Sequence, residues 1–164
     1  MATEYSFDVV SKVDMAEVKN ALDQTVRELA TRFDFRGSIS SLELEGESVK
    51  VLADDEYRLG LLLDMFRGKL AKRSVSLKSL EYGKIEPASR GSVRQTVVLK
   101  QGIPTDESKR IARELKASGL KVSSQIQGEQ LRITGKDKDS LQAAQKLILS
   151  LEDMPCDVQF INYR

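Results

Sequence analysis

ISSLELEGESVKVLADDEYRLGLLLDMF (Ile39–Phe66) and KVSSQIQGEQLRITGKDKDSLQAAQKLI (Lys121–Ile148) decide the fold, because the second stretch repeats the first. At an offset of 82 residues, Leu44 falls on Ile126, Val49 on Leu131, Val51 on Ile133, Leu59 on Leu141 and Phe66 on Ile148. Each stretch alternates apolar and polar residues on both sides of a Glu-Gly or Gln-Gly turn, the signature of a hairpin. Each then shifts to apolar residues every three or four positions, the signature of an amphipathic helix. A repeated unit of this size predicts two small domains of one topology.

The flanking sequence completes each unit. Tyr5, Phe7 and Val9 alternate with Ser6 and Asp8, which predicts a strand with one buried face. Asp14 and Glu17 have capping-box spacing. Behind them Met15, Val18, Leu22, Val26, Leu29 and Phe33 predict a helix ending near Arg32. A short strand is expected through Val75 and Leu77. GKIEPASRGS (83–92) has linker composition. RQTVVLK (94–100) restarts the pattern with a strand, Thr105 is placed to cap a helix, and DVQFINY (157–163) closes the second unit as a strand. Both halves therefore follow the order β-α-β-β-α-β. The fold class is α+β: two ferredoxin-like sandwiches, each an antiparallel sheet with helices on one face. Residues 1–90 form the first unit and 91–164 the second. Two such similar units can also exchange equivalent strands.

Composition narrows the chemistry. The 164 residues contain no His, no Trp and one Cys. Zinc sites and histidine-assisted nucleophiles therefore lack their usual ligands and bases, and no catalytic residue is expected. Cys156 has no internal disulfide partner, the N-terminus lacks a secretory pattern, and no apolar run approaches a membrane span. These features predict a cytoplasmic protein. The net charge is only +1, but residues 94–164 carry 12 Lys and Arg against 9 Asp and Glu. That leaves room for a local basic patch.

Four stretches carry candidate binding residues. In IQGEQLRITGKDKD (126–139), Gln130 and Arg132 share one strand face, with Leu131 and Ile133 on the other, and Lys136 sits at a strand-to-helix junction. In RFDFRG (32–37), Phe33 fits the helix stripe. Phe35 and Arg36 fall beyond it, where a ring can stack on a base and a guanidinium can hold a phosphate. KLAKR (69–73) places Lys69 and Arg73 at a helix end, where cations also suit the helix dipole. QFINYR (159–164) supplies Asn162, Tyr163 and Arg164. Each residue also has a plain structural use as a cap, turn or solvated strand position.

The order SFDVVSKVD, RFDFRG, KRSVSLKSLEYG, RQTVVLKQGI, IQGEQLRITGKDKDSLQ and QFINYR resembles the YajQ-like nucleotide-binding protein family from Tyr5 to Arg164. The resemblance implies two ferredoxin-like domains with exchanged strands, Tyr5–Ser11 lying in the second sheet and Arg94–Lys100 in the first. It also implies a non-catalytic protein that binds a purine nucleotide, cyclic di-GMP for some members, without a cofactor. Such a nucleotide is expected in a groove between the domains, held by Phe35, Arg36, Lys69, Arg73, Gln130, Arg132, Lys136, Asn162, Tyr163 and Arg164. Its occupancy would be passed to RNA or a regulatory protein. The alternative expectation is an RNA-binding module working through exposed sheet faces.

Overall fold

The computed structural model describes residues 4–164. Four α-helices among the described residues pack on two antiparallel sheets in two ferredoxin-like halves. The chain runs β1 (Tyr5–Val10), α1 (Met15–Thr31), β2 (Ser41–Glu45), β3 (Ser48–Ala53), α2 (Glu56–Lys72), β4 (Leu80–Tyr82), β5 (Glu86–Pro87) and β6 (Val93–Leu99). It continues through α3 (Thr105–Ala117), β7 (Val122–Gln127), β8 (Gln130–Gly135), α4 (Lys138–Ser150) and β9 (Gln159–Ile161). One sheet has the order β7-β8-β1-β9; the other has β2-β3-β6-β4, with β5 also on β6. The first strand of the chain thus belongs with its last elements, and β6 lies beside β3. Val13–Lys100 is one compact unit; the residues up to Lys12 and from Gln101 onward form the other.

Each unit has its own core. In Val13–Lys100 the fully buried Val49, Val51, Val97, Leu62, Phe66 and Leu70 pack with Val18 and Ala21. In the other unit Phe7, Val9, Leu131 and Ile133 pack under Ile111, Leu141 and Ile148. Helix starts follow local chemistry. Asp14 accepts the Ala16 N–H at 3.0 Å, and Asp55 and Asp137 accept N–H groups of α2 and α4 at 2.8 and 2.7 Å. Gly46 and Gly128, with φ of +59° and +63°, open the two hairpin turns.

Several local expectations are corrected. Phe33 does not complete the α1 stripe; it is 84% exposed, whereas Phe35 is 5% exposed and part of the core. Arg32 is extended, so the helical phase stops there and restarts in a 3-10 turn at Phe33–Phe35 that turns the second ring inward. Val75 follows Ser74, a residue with φ of +61°, and drops into the core; the strand forms later, at Leu80–Tyr82. Residues 83–92 are not a free linker. Gly83 donates to Thr96 O at 2.8 Å, Gln95 Nε2 donates to Gly83 O at 2.7 Å, and β5 pairs with β6. A side chain on Gly83 would meet Thr96 O at 2.9 Å, so glycine permits this close approach. Pro104, not Thr105, holds the α3 cap position.

Candidate functional site

The unit formed by the residues up to Lys12 and from Gln101 onward holds a polar cluster centred on Asp8. Asp8 pairs across the sheet with Arg132 on β8 and with Ile161 on β9. Its carboxylate accepts Arg132 Nε at 3.0 Å and Asn162 Nδ2 at 2.8 Å, and Asp8 is only 1% exposed. The Arg132 bond holds the Asp8 carboxyl below the usual carboxylate range, with burial opposing it and Asn162 assisting.

Asn162 reaches this point because β9 bulges. Asp8 is opposite Ile161, yet Ser6 exchanges backbone hydrogen bonds with Arg164 at 3.1 and 3.0 Å. Phe7 alone therefore faces both Asn162 and Tyr163, and Asn162 takes the left-handed φ of +56° that this bulge needs. The bulge ends β9 at Ile161, shorter than the strand expected over 157–163. It sends Asn162 toward Asp8 and leaves the Tyr163 ring beside Phe7, with centroids 6.2 Å apart.

A cleft of about 420 Å³ lies where β1, α4 and the segment after the bulge meet. Tyr5, Phe7, Tyr163, Lys138, Gln142 and Arg164 contribute to its walls. Tyr163 is 65% exposed, and its hydroxyl accepts Gln145 Nε2 at 3.2 Å. Lys138 Nζ stands 5.3 Å from the Tyr5 ring centroid. A second cavity of about 270 Å³, at the β8–α4 junction, is lined by Lys121 and Lys136 together with Glu4 and Asp137. Aromatic rings, cations and side-chain amides thus converge in one place. That combination can stack a planar group, neutralise an anion and satisfy polar edges.

The other expected residues do not line this cleft. Lys69 pairs with Glu28 at 3.6 Å, and Arg73 with Glu17 at 3.2 Å, so both brace α2 against α1. Arg36 is exposed, and its side chain has no hydrogen-bond or ion-pair partner among the described residues. Phe35, buried as above, has no free ring face for a base. Gln130 lines a separate cavity of about 310 Å³ with Ser11, Gln101 and Glu129. Phe35, Arg36, Lys69 and Arg73 belong to Val13–Lys100, and the other six to the second unit. Residues that sequence reasoning missed are Asp8, Tyr5, Lys138, Gln142 and Gln145. Among the described residues no group of three or more His, Cys, Asp or Glu is placed to hold a metal ion, and no helix is long and apolar enough to cross a membrane.

Two ferredoxin-like sandwiches, one of them bearing a tyrosine-walled, cation-rimmed cleft, define a tandem α+β protein. Comparison with known proteins gives the particular group. The family model described as "Nucleotide-binding protein YajQ-like" matches residues 5–164, and the chain belongs to that family. It is 52% identical to a nucleotide-binding protein of Desulfitobacterium hafniense over 164 residues, all of both chains. It is 50% identical to a nucleotide-binding protein of Geobacter sp. (strain M21) over 159 residues, 97% of this chain and 98% of the relative. A nucleotide-binding protein of Carboxydothermus hydrogenoformans is 49% identical over the full length of both.

Proposed function

We propose that this chain binds a purine nucleotide, specifically cyclic di-GMP, in the cleft between β1, α4 and the Tyr163 segment. In this reading it is an effector that signals occupancy to a macromolecular partner and does not turn its ligand over. The observation that carries the reading is the convergence of Tyr5, Tyr163, Lys138 and Arg164 on one cavity. A base stacked on an exposed tyrosine gains about 1–3 kcal/mol. Charge-assisted contacts from Lys138 and Arg164 would hold phosphate, and Gln142 would meet a base edge. The family relationship and the names of the relatives support nucleotide as the ligand class.

The sheet faces favour this over a base-stacking RNA module. Tyr5, Phe7 and Phe160 point to the helix side with Val9, and Tyr82 lies opposite the buried Val97. Among the described residues no strand presents an aromatic ring on the face away from the helices, where such modules stack bases. The test is titration with a nucleotide panel including cyclic di-GMP, and with a short single-stranded RNA, at two salt concentrations. Saturable binding of one nucleotide, weakened roughly tenfold or more by Tyr163→Ala, is expected. Salt-sensitive RNA binding without any nucleotide affinity would overturn the reading.

A further inference from the structure

The two halves differ at the outer edge of each sheet, and the repeat supplies an internal comparison. The edge strand β2 is SLELE and its counterpart β7 begins SSQIQ after Val122. At the same 82-residue offset, Glu43 becomes Gln125, Glu45 becomes Gln127 and Leu42 becomes Ser124. Charged residues are the usual protection of a sheet edge against a further strand, and β2 keeps two, with Glu45 paired to Lys50 at 2.9 Å. All six residues of β7 are uncharged and none is proline. Its only strand neighbour among the described residues is β8, so one row of backbone N–H and C=O groups faces outward.

Beside that edge runs a groove of about 370 Å³ between α3 and β7, with Leu115, Leu120 and Val122 at its base. It is open because Ser124 stands where the other half has Leu42, which is 7% exposed and seated in the core. Arg113 and Lys116 border the groove from α3. Both are exposed, and neither side chain has a hydrogen-bond or ion-pair partner among the described residues. Ile126, 41% exposed, adds apolar surface at the other end of the strand.

We infer that β7 is a docking edge for an extended acidic segment of a partner protein, which adds a strand to the sheet. Its backbone would pair with β7, one aliphatic side chain would fill the space above Ser124, and its carboxylates would meet Arg113 and Lys116. A second copy of this chain fits less well. Two-fold pairing of β7 with itself lays both α3 helices on one side and brings Arg113 and Lys116 toward their own copies. The partner invoked under the proposed function thereby gains a surface. This inference does not need a bound nucleotide, because β7 and the tyrosine cleft share no residue.

The test uses the full chain without nucleotide and a fluorescein-labelled octapeptide, Glu-Thr-Val-Thr-Glu-Thr-Val-Thr. Two control peptides carry Lys for Glu, or N-methyl groups on alternate amides so that they cannot pair as strands. Anisotropy should show saturable binding of the acidic peptide and at least roughly tenfold weaker binding of both controls. Ser124→Leu, which imports the filling residue of the other edge, should weaken the acidic peptide to a similar degree. Arg113→Glu with Lys116→Glu should switch preference to the Lys peptide. Equal binding of the Lys and Glu peptides, or no saturation by the acidic one, overturns the proposal. So does a sedimenting dimer of the wild-type chain that Ser124→Leu dissolves, since the edge would then belong to a second copy. Loss of nucleotide binding in the earlier titration leaves these outcomes untouched.

Discussion

Replacing Asp8 by Asn keeps the volume of the side chain and removes its charge, in a place where water contributes almost nothing. Asp8 is 1% exposed, and its carboxylate accepts two hydrogen bonds, from Arg132 and Asn162. Hydrogen bonds to a charged group contribute about 1.5–3 kcal/mol each. The Asn162 bond lies at the lower end of that range as a neutral donor. The Arg132 bond is discounted further because that side chain keeps 31% of its surface in water. The new amide retains one acceptor but points an N–H at one of its former donors. A net loss of about 2–3 kcal/mol at pH 7 follows. In urea this moves the unfolding midpoint down by about 1–2 M for the unit that holds β1. The pH dependence has a definite sign. The folded-state pKa of Asp8 is depressed, so its stabilisation is complete above the unfolded value of about 3.9 and disappears as pH falls through the lower, folded value. The gap between wild type and Asp8→Asn should stay constant from pH 7 to about 5 and close below about 4. Urea unfolding followed by circular dichroism across that range measures it. A gap below about 0.5 kcal/mol at pH 7, or one that widens on acidification, refutes the reasoning.

Three further outcomes separate close alternatives. Phe35→Ala should cost about 3–5 kcal/mol, because a buried ring leaves a cavity, while Phe33→Ala should stay within about 0.5 kcal/mol in the same denaturation assay. Asn162→Gly keeps the left-handed bulge and loses only the bond to Asp8; Asn162→Ala loses both and should be about 1 kcal/mol less stable than the glycine variant by thermal or urea melting. Lys138→Gln should weaken nucleotide binding roughly tenfold with an unchanged unfolding midpoint, measured by titration calorimetry alongside a melt.

Periodicity made most of the fold legible. The apolar alternation of Val49–Val51 and Leu131–Ile133, and the helical stripes behind Asp55 and Asp137, depend only on residues close in sequence. What failed depends on single backbone angles. Arg32 leaving helical geometry exchanged the environments of Phe33 and Phe35, and Ser74 at positive φ moved the strand from Val75 to Leu80. The site was less legible because its parts meet through strand pairing. Asp8 looks like a solvated strand residue until β1 is laid against β8 and β9, 124 and 154 residues away at Arg132 and Asn162. Tyr163 and Arg164 were visible as an aromatic and a cation, but Tyr5 and Lys138, their companions in the cleft, are far from them in sequence. Lys69 and Arg73 looked available for phosphate because nothing local reveals that Glu28 and Glu17 lie across from them on α1.

The most direct test is to add cyclic di-GMP to isotope-labelled protein and map which backbone and side-chain amide signals move. Saturable shifts are expected at Ser6, Phe7, Lys138, Gln142, Gln145 and Tyr163, with the saturation midpoint moved roughly tenfold or more higher in Tyr163→Ala. Shifts confined to Val13–Lys100, or none at saturating ligand, would contradict it.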